Sequence, residues 1–428
     1  MKKKKAASHL IVLTVGTLLT AFLNFATQII LARHMIPSDF GSFSSAFYLV
    51  MTLAPLCGFG IPQFWLKVFG SEGWAGTRFI VPSLIFTAIT TSLIIMLLSG
   101  WIYYTEYNKH EFLYLLSFVV LSQVIIELLG AVYQLEENYI AVSLIQLSVI
   151  SLRFISLIFL FLIFKHLTTD SVSLIYALDS LIIIIFTYGV FRRIIKKEIK
   201  LKGHIKNDNI QSLTINIKDM IKESAVFGIA GVFYMIYFQV NIILVKYFIS
   251  PIDAGYYSVA FLFISAAILL PTVIYQKYLL PKLHRWAYQD LRKLKNVYKY
   301  GNIAMFLFGV VVSILIWFLC PMIVYSLFGE KYMSSIKLIR FLSLSIPIIY
   351  LASNSGAILV TKNNMQAKVK IMCVASFISL LVFFVTFRNM GVYAGVLATI
   401  LSNLFICIAY NYKSIVFFRG NNEYSKGN

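Results

Sequence analysis

Three ionisable side chains lie inside long apolar stretches of the sequence. They are Arg153, Asp179 and Glu127. A charged group is expensive to place in such a stretch, so it is usually paired with an opposite charge or used in binding or proton transfer. An arginine can bind an anion through two parallel hydrogen bonds. These residue types therefore indicate either structural pairing or a site for anion and proton chemistry.

The position of each charged group along its apolar run helps to choose between structural pairing and a binding site, but it does not decide the question. Measured from the ends of their apolar runs, Arg153 and Asp179 lie at similar depths, within about one helical turn of each other. Glu127 lies nearer to one end of its run. Two interpretations of Arg153 stay open: a structural ion pair with Asp179, or a side chain that faces a binding cavity. Glu127 and Asp179 are candidates for coupling to an ion gradient.

The composition requires an integral membrane protein. Of the 428 residues, 60% are hydrophobic and 13% are charged, and the mean hydropathy is +0.83. A soluble chain carries about a quarter charged residues. The net charge of +20 does not indicate nucleic acid, because the lysines and arginines fall in gaps between apolar runs. This placement suits a leaflet rich in anionic membrane lipid.

Twelve apolar runs have about the length of a membrane-spanning helix, roughly 20 residues. They cover residues 10–32, 41–66, 79–102, 111–133, 139–164, 171–191, 223–249, 254–276, 301–325, 338–361, 371–387 and 392–413. Most of the 37 lysine and arginine residues fall in segments on the same side as both termini. The positive-inside rule therefore predicts cytoplasmic termini. The first run is too long for a cleaved signal peptide, so we expect it to remain as a helix.

One stretch of the first half recurs in the second half. ILARHMIPSDFGSFSSAF (30–47) aligns with ILVKYFISPIDAGYYSVAF (243–261), which places Asp39 opposite Asp253. The offset is 213 residues before the turn, from Arg33 to Lys246, and 214 after it, from Asp39 to Asp253, and 214 is half of 428. The duplication predicts an all-α integral membrane fold of about 12 transmembrane helices in two six-helix lobes related by internal repeat. Parallel repeats of this kind are a transporter arrangement that works by alternating access.

The duplication also predicts the domain boundaries. They are an N-lobe of residues 1–191, a basic cytoplasmic linker of residues 192–222 and a C-lobe of residues 223–428. Because each lobe has an even number of spans, both lobes enter the membrane in the same direction. Substrate is then handled between the two halves.

The charges of the repeated stretch have a structural explanation. Arg33 and Lys246 complement the dipole at the C-terminal end of the preceding helix. Asp39 and Asp253 can cap the following helix, and the glycine two residues later allows a close turn. We therefore expect an outer hairpin here and not a binding site.

Two other segments carry structural information. In the second span, Pro55, Gly58, Gly60 and Pro62 predict a kink that suits a hinge. In the basic segment 282–299, apolar residues recur at helical spacing and most cations face away from them. This pattern predicts a basic amphipathic helix on the inner leaflet.

Three motifs occur in order along the chain. LARHMIPSDFGSFSSAF (31–47) resembles the signature LAR-x-LGP-x-DFG-x-Y, with Met35 and Ile36 in place of the usual leucine and glycine. LFGEKYMSSIKLIRFLSL (327–344) resembles FG-x-x-Y … L-x-x-L, and MGVYAGVLATILSN (390–403) resembles G-x-x-G-A-x-x-AT. By these motifs the chain resembles the polysaccharide repeat-unit flippases (Wzx-type O-antigen and capsule translocases) of the multidrug/oligosaccharidyl-lipid/polysaccharide exporter superfamily.

The resemblance implies a pair of six-helix lobes around a cationic cavity, in a bacterial cytoplasmic (inner) membrane. It implies translocation of an undecaprenyl-diphosphate-linked oligosaccharide repeat unit from the cytoplasmic to the outer leaflet during O-antigen, capsule or exopolysaccharide synthesis. It further implies coupling to a gradient of H⁺ or Na⁺, with no cofactor, and a polysaccharide polymerase as a partner. In that setting Arg153 would bind the lipid diphosphate.

Polar side chains in two spans are further candidates for the cavity. Asn24 and Gln28 share one face of the first span, and the repeat aligns them with Tyr237 and Asn241. Such groups suit a path for sugar hydroxyls. Alternatively, they hold helices together by hydrogen bonds worth about 0.6–2 kcal/mol each.

Other function classes fit the sequence less well. A membrane sugar polymerase or ligase needs a sizeable outer loop, whereas the outer connections between these runs are short. An ion-coupled multidrug exporter of the same superfamily is the nearer alternative. The sequence has no G-x-x-x-x-G-K-[ST] motif for ATP, and its four cysteines are isolated, so a metal site is not expected.

Overall fold

The computed structural model describes residues 2–106, 108–201, 217–360 and 365–424, and the regular structure in these ranges is helical. The α-helices are α1 (Lys2–His34), α2 (Pro37–Gly58), α3 (Ile61–Glu72), α4 (Ile80–Glu106), α5 (Val119–Leu135), α6 (Tyr139–Phe164), α7 (Thr169–Ile195), α8 (Ile217–Phe248), α9 (Pro251–Pro271), α10 (Leu280–Gln289), α11 (Leu291–Ile323), α12 (Ser335–Ser343), α13 (Ile346–Ile358), α14 (Met365–Met390) and α15 (Tyr393–Tyr424). Short 3₁₀ segments cover Gly73–Phe79, Leu113–Phe118 and Glu330–Tyr332, and π-helical segments cover Thr272–Leu279 and Val324–Phe328.

The number of helices that can cross a membrane agrees with the sequence. In the described residues, 10 helical stretches are long and apolar enough, and the pair α12–α13, bent by 43°, makes 11. One stretch, Pro37–Glu106, has 70 residues, about three times what one crossing needs. It contains α2–α3 and α4 with the turn Gly73–Phe79 between them, so it supplies two crossings. The prediction of about twelve membrane helices in an all-α fold is confirmed.

The chain forms two compact units. The first contains residues 1–35 and 46–235, and the second contains residues 36–45 and 236–428. The start of α2 therefore belongs to the unit that holds most of the second half of the chain, while the start of α8 belongs to the unit that holds most of the first. The lobe boundaries at 191 and 223 stay a prediction, and residues 202–216 of the predicted linker lie outside the described residues.

In the first unit, α1 packs along α6, and α5, α6 and α7 pack against one another. The helices α3 and α4 are joined at their buried side, where the indole Nε1 of Trp65 donates a hydrogen bond to Ser83 Oγ at 2.8 Å. These contacts set the relative positions of α5, α6 and α7, which carry the ionisable residues singled out above.

The break predicted in the second span is present between α2 and α3. Phe59 and Gly60 both have positive φ, 44° and 78°. A Cβ on Gly60 would lie 2.4 Å from the carbonyl oxygen of Ser224, and one on Gly228 would lie 2.8 Å from the Phe59 backbone. The glycines therefore serve two purposes here: one adopts the left-handed turn, and both let the α2–α3 break pack directly on α8.

In the second unit, α9 packs on α12 and α13, and α13 packs between α11 and α15. The cap of α9 differs from the prediction. Ser250 is the N-cap residue, and its Oγ accepts the backbone N–H of Asp253 at 3.0 Å. The carboxylate of Asp253 accepts from Ser250 Oγ at 2.6 Å. A serine oxygen can take the capping position because its short side chain reaches the helix backbone, and Asp253 then supports the serine.

The basic segment 282–299 is not one helix on a leaflet surface. α10 ends at Gln289, and Asp290 caps α11 by accepting the backbone N–H of Lys293 at 2.9 Å. Leu283, Ala287 and Leu294 of its apolar stripe are fully buried in the protein, and Leu291 and Tyr298 are half-buried. The helical periodicity was a correct signal, but the fully buried side chains of this face pack within the protein, where α10 contacts α11 and α13 and α11 contacts α13.

Candidate functional site

Arg153 lies in the packed interface of α5, α6 and α7. Its side chain is 7% exposed, and Nη2 donates a hydrogen bond to Ser122 Oγ at 2.7 Å. The guanidinium carbon lies 5.3 Å from the centroid of the Tyr176 ring. A cation over an aromatic face is attracted to the ring electrons, and this attraction grows when water is excluded. The arginine is therefore held by one hydroxyl and one ring.

Asp179 belongs to the same cluster but is held by a different serine. It is 3% exposed, and its Oδ1 accepts a hydrogen bond from Ser156 Oγ at 2.8 Å. Ser180 Oγ lies 3.3 Å from Ser122 Oγ, which continues the polar cluster across α7 and α5. In the part of the chain that the structure describes, Arg153 and Asp179 form no ion pair. The serines bind each charged group separately.

One polar atom of each charged group has no partner. Arg153 Nε and Asp179 Oδ2 are both buried, and neither makes a hydrogen bond with any described residue. Buried polar atoms are nearly always satisfied, so such an exception needs an explanation. The cluster leaves one hydrogen-bond donor and one acceptor available to a ligand or a proton.

Glu127 is separate from this cluster. It is half-buried on α5 and accepts a hydrogen bond from Gln123 Nε2 at 3.0 Å, one turn earlier in the same helix. Ser122 is five positions before Glu127, so the two side chains point about 140° apart around the helix axis. The structure brings together Arg153 and Asp179 but not Glu127.

The polar candidates on α1 and α8 differ in their surroundings. Asn24 is exposed, whereas Gln28, Tyr237 and Asn241 are buried. Asn241 Nδ2 donates to Thr399 Oγ1 at 2.9 Å, and to a serine of α14. Thr399 Oγ1 in turn lies 2.8 Å from a tyrosine hydroxyl of α9. Asn241 therefore links α8, α9, α14 and α15 within the second unit, as expected for an interhelical hydrogen-bonding residue.

A second polar cluster of that unit was not singled out from the sequence. Asn411 Oδ1 accepts hydrogen bonds from Tyr298 OH at 2.8 Å, from Asn302 Nδ2 at 2.9 Å and from Ser355 Oγ at 2.8 Å. It joins α11, α13 and α15. The serines around Arg153 were missed in the same way. Isolated Ser and Asn residues in apolar runs were the available signal, but their partners are distant in sequence.

No group of three or more His, Cys, Asp or Glu side chains suited to a metal ion occurs among the described residues. The polar clusters consist of hydroxyls, amides, one guanidinium and single carboxylates. Their chemistry suits hydrogen bonding and ion binding.

Comparison with known proteins identifies the family. The sequence model of the family described as "polysaccharide biosynthesis protein" matches residues 7–286, more than half of the chain. The chain belongs to this polysaccharide biosynthesis family. No curated protein sequence matches it.

Solved structures share the fold of this polysaccharide biosynthesis family member. A multidrug resistance MATE family transporter of the MOP superfamily, in an inward-facing conformation, matches with a TM-score of 0.71 at 13% identity, over 97% of this chain and 99% of that one. An outward-facing structure of such a transporter matches with a TM-score of 0.69 at 13% identity, over 97% and 96%. A MOP superfamily transporter from Pyrococcus furiosus matches with a TM-score of 0.66 at 14% identity, over 96% and 95%.

At these identities the structural matches establish the fold. The polysaccharide biosynthesis family member is thus a multi-pass membrane protein with the fold of MOP superfamily transporters.

Proposed function

We propose that this protein moves an undecaprenyl-diphosphate-linked oligosaccharide repeat unit from the cytoplasmic to the outer leaflet of a bacterial cytoplasmic membrane, with both termini in the cytoplasm. The observation that carries this proposal is the buried Arg153, whose Nε has no partner among the described residues. A guanidinium in a low-dielectric site is well suited to a phosphate, because it offers a planar fork of donors. Membership of a polysaccharide biosynthesis family supports a glycan as the other part of the substrate.

In this proposal the diphosphate of the substrate displaces Ser122 as a hydrogen-bond acceptor of Arg153. Ser122 Oγ accepts a hydrogen bond from Nη2 of Arg153. A diphosphate oxygen is a stronger acceptor than a neutral hydroxyl, so it replaces the serine when the pathway opens. Asn24, Gln28, Tyr237 and Asn241 remain candidates for contacts with sugar hydroxyls.

We further propose that Asp179 couples transport to a gradient of H⁺ or Na⁺, with Glu127 as the second candidate. Asp179 is buried and held by one serine hydroxyl, and its Oδ2 has no partner among the described residues. A buried carboxylate without a direct counter-ion is costly to keep charged, which favours binding of a proton or a cation. The proposed partners are the lipid-linked glycan, anionic membrane lipid and a polysaccharide polymerase.

The function is tested with purified protein in liposomes that contain a fluorescent undecaprenyl-diphosphate oligosaccharide. Reduction of the label by external dithionite measures how fast the lipid crosses the bilayer. We expect faster crossing than in protein-free liposomes, and no increase in ethidium transport in parallel vesicles. Ethidium transport without lipid crossing would instead establish a drug exporter.

Changing Asp179 to asparagine is expected to uncouple transport from the ion gradient. Asparagine keeps an oxygen that can accept from Ser156 but carries no titratable proton. In liposomes with an imposed pH or Na⁺ gradient, the variant should lose the stimulation of lipid crossing that the gradient causes in the unmodified protein. Asp170→Asn is the control, since Asp170 lies at the start of the same helix and accepts the backbone N–H of Phe112. Full stimulation in Asp179→Asn would exclude Asp179 from coupling.

A further inference from the structure

A groove with a volume of about 400 Å³ lies between α12 and the turn that joins α14 to α15, within the second compact unit. We call it the α12–α15 groove, and its lining is apolar or aromatic throughout: Phe341, Met390, Tyr393, Val396, Leu397 and Ile400. Tyr393 and Ile400 are seven residues apart, so the groove extends about 10 Å along α15. Sites for small ligands have volumes of about 300–1,000 Å³ and mostly apolar walls. The groove therefore has the size and the lining of a ligand site.

Packing within the protein shapes this groove but does not fill it. The rings of Phe341 and Tyr393 meet edge-on at a centroid distance of 5.8 Å, which joins α12 to α15. Phe341 nevertheless keeps 45% of its surface exposed, and Met390 keeps 42%. Apolar cavities exclude water, because water finds no hydrogen-bond partner there. Since α14 and α15 are long and apolar enough to cross a membrane, hydrocarbon is the material available to fill the groove.

Three cations lie close to the groove in sequence, and the protein itself uses one of them. Arg340 precedes Phe341, and its Nε donates a hydrogen bond to the carbonyl oxygen of Trp317 at 3.3 Å. Its guanidinium carbon lies 5.7 Å from the centroid of the Trp317 ring. Pro321, four residues after Trp317, has no N–H to donate to that carbonyl. Arg340 therefore has a structural role at the proline-containing end of α11.

Lys337 and Arg388 carry the other two charges. Lys337 is one turn before Phe341 and shares its face of α12, and Arg388 is two residues before Met390. Both cations are exposed, and neither forms an ion pair with a residue that the structure describes. Lys337 lies in the first turn of α12, where the helix dipole disfavours a cation. Its charge does not stabilise its own helix, so its position favours an anion outside the protein.

We propose that the α12–α15 groove binds an anionic phospholipid of the membrane, with an acyl chain along the apolar lining and the phosphate close to Lys337 and Arg388. Both cations lie near helix ends, at the start of α12 and the end of α14, as Tyr393 does at the start of α15. The headgroup lies beside the cations, and the chain runs from Tyr393 towards Ile400. Such a lipid is a component of the bilayer and not the transported substrate, so the site is independent of the function proposed above.

The charges beside the groove favour a lipid over a helix of another protein. A stable protein interface uses roughly 20–30 residues on each side, whereas six residues line this groove. An alkyl chain gains little by moving from the bilayer into an apolar groove, because both environments are hydrocarbon-like. Lys337 and Arg388 therefore supply the selectivity, since basic residues near a membrane surface attract anionic lipid.

The test measures lipid binding to the purified full-length protein in detergent by native mass spectrometry, with phosphatidylglycerol and phosphatidylcholine of identical chains as probes. We expect the unmodified protein to retain phosphatidylglycerol in preference. Lys337→Gln combined with Arg388→Gln should weaken phosphatidylglycerol binding about 25-fold, because each basic residue near a membrane surface contributes about fivefold. Phosphatidylcholine binding should not change. Equal binding of the two lipids by the unmodified protein, or unchanged affinity in the double variant, would overturn the proposal.

Matched variants separate the groove from general surface charge. Lys109→Gln combined with Lys165→Gln removes two exposed cations of the first unit and should leave phosphatidylglycerol binding unchanged. Leu397→Trp fills the groove and should abolish retention of phosphatidylglycerol. Ile408→Trp adds the same ring at a 61% exposed position of α15 outside the groove and should retain the lipid. Equal losses in the control variants would show that the lipid does not bind in the groove.

Two other occupants of the groove would give different results. Displacement of bound phosphatidylglycerol by an equal amount of undecaprenyl diphosphate would assign the groove to the transported class of lipid. A membrane protein that co-purifies with the unmodified chain but not with Leu397→Trp, with no phosphatidylglycerol retained, would assign it to a partner helix. Either result would overturn the proposal. Neither changes the outcome of the liposome assay of glycan transport, so the two proposals can fail separately.

Discussion

Replacing Arg153 by alanine is expected to lower the rate of lipid crossing by about 100-fold while the protein still inserts in the membrane. A charge-assisted hydrogen bond in a buried site contributes about 1.5–3 kcal/mol, and 2.7 kcal/mol corresponds to about 100-fold. Arg153→Lys keeps the charge but loses the planar fork, so it should retain part of the activity. The rate in liposomes and the amount of polysaccharide at the cell surface both measure the effect.

A structural role of Arg153 would give a different pattern. If the arginine served only to balance Asp179, the double variant Arg153→Met with Asp179→Asn would remove both charges and restore transport. We expect the double variant to remain inactive while its melting temperature returns towards that of the unmodified protein. Arg192→Ala is the control, because Arg192 is exposed at the end of α7. Normal transport in Arg153→Ala would remove Arg153 from the site.

Replacing Gly60 by alanine is expected to destabilise the first unit by about 2–5 kcal/mol. A left-handed residue with a side chain costs about 1–2 kcal/mol, and overpacking adds about 1–3 kcal/mol. The added Cβ would meet the Ser224 carbonyl oxygen at 2.4 Å and the Phe227 Cβ at 2.6 Å. The melting temperature of the purified protein in detergent measures the loss.

Gly58 provides a close control for this variant. It lies two residues earlier in the same break, but a Cβ there would meet only Pro62 Cδ, at 3.8 Å, which is an ordinary contact. Gly58→Ala should therefore change the melting temperature little. Equal destabilisation by both variants would mean that the cost comes from loss of glycine flexibility in the break and not from the contact with α8.

The membrane fold was predictable because long apolar runs, charge placement and one repeated motif all act over short stretches of sequence. The break in α2 was predictable for the same reason, since Pro55, Gly58 and Gly60 act locally. The helix break at Asp290 was missed because the amphipathic pattern continues across it. Periodicity shows which face is apolar but not whether lipid or protein covers it.

The candidate site was predictable only in part. Rare charges in apolar runs identified Arg153 and Asp179, and the structure places them in one cluster. The geometry within that cluster depends on Ser122 and Ser156, which lie on neighbouring helices. Side-chain partners far apart in sequence are fixed by tertiary packing, so a single sequence carries no direct signal for them.

The membership of the two compact units has a consequence for how this protein can be divided. Residues 36–45 are grouped with 236–428, and residues as far as 235 with the first half. Each copy of the ancestral repeat therefore supplies a segment whose packing partners are encoded by the other copy. Neither half of the chain alone therefore contains all the packing partners of its own residues. A fragment ending near the middle of the chain would expose backbone that only the missing fragment can cover.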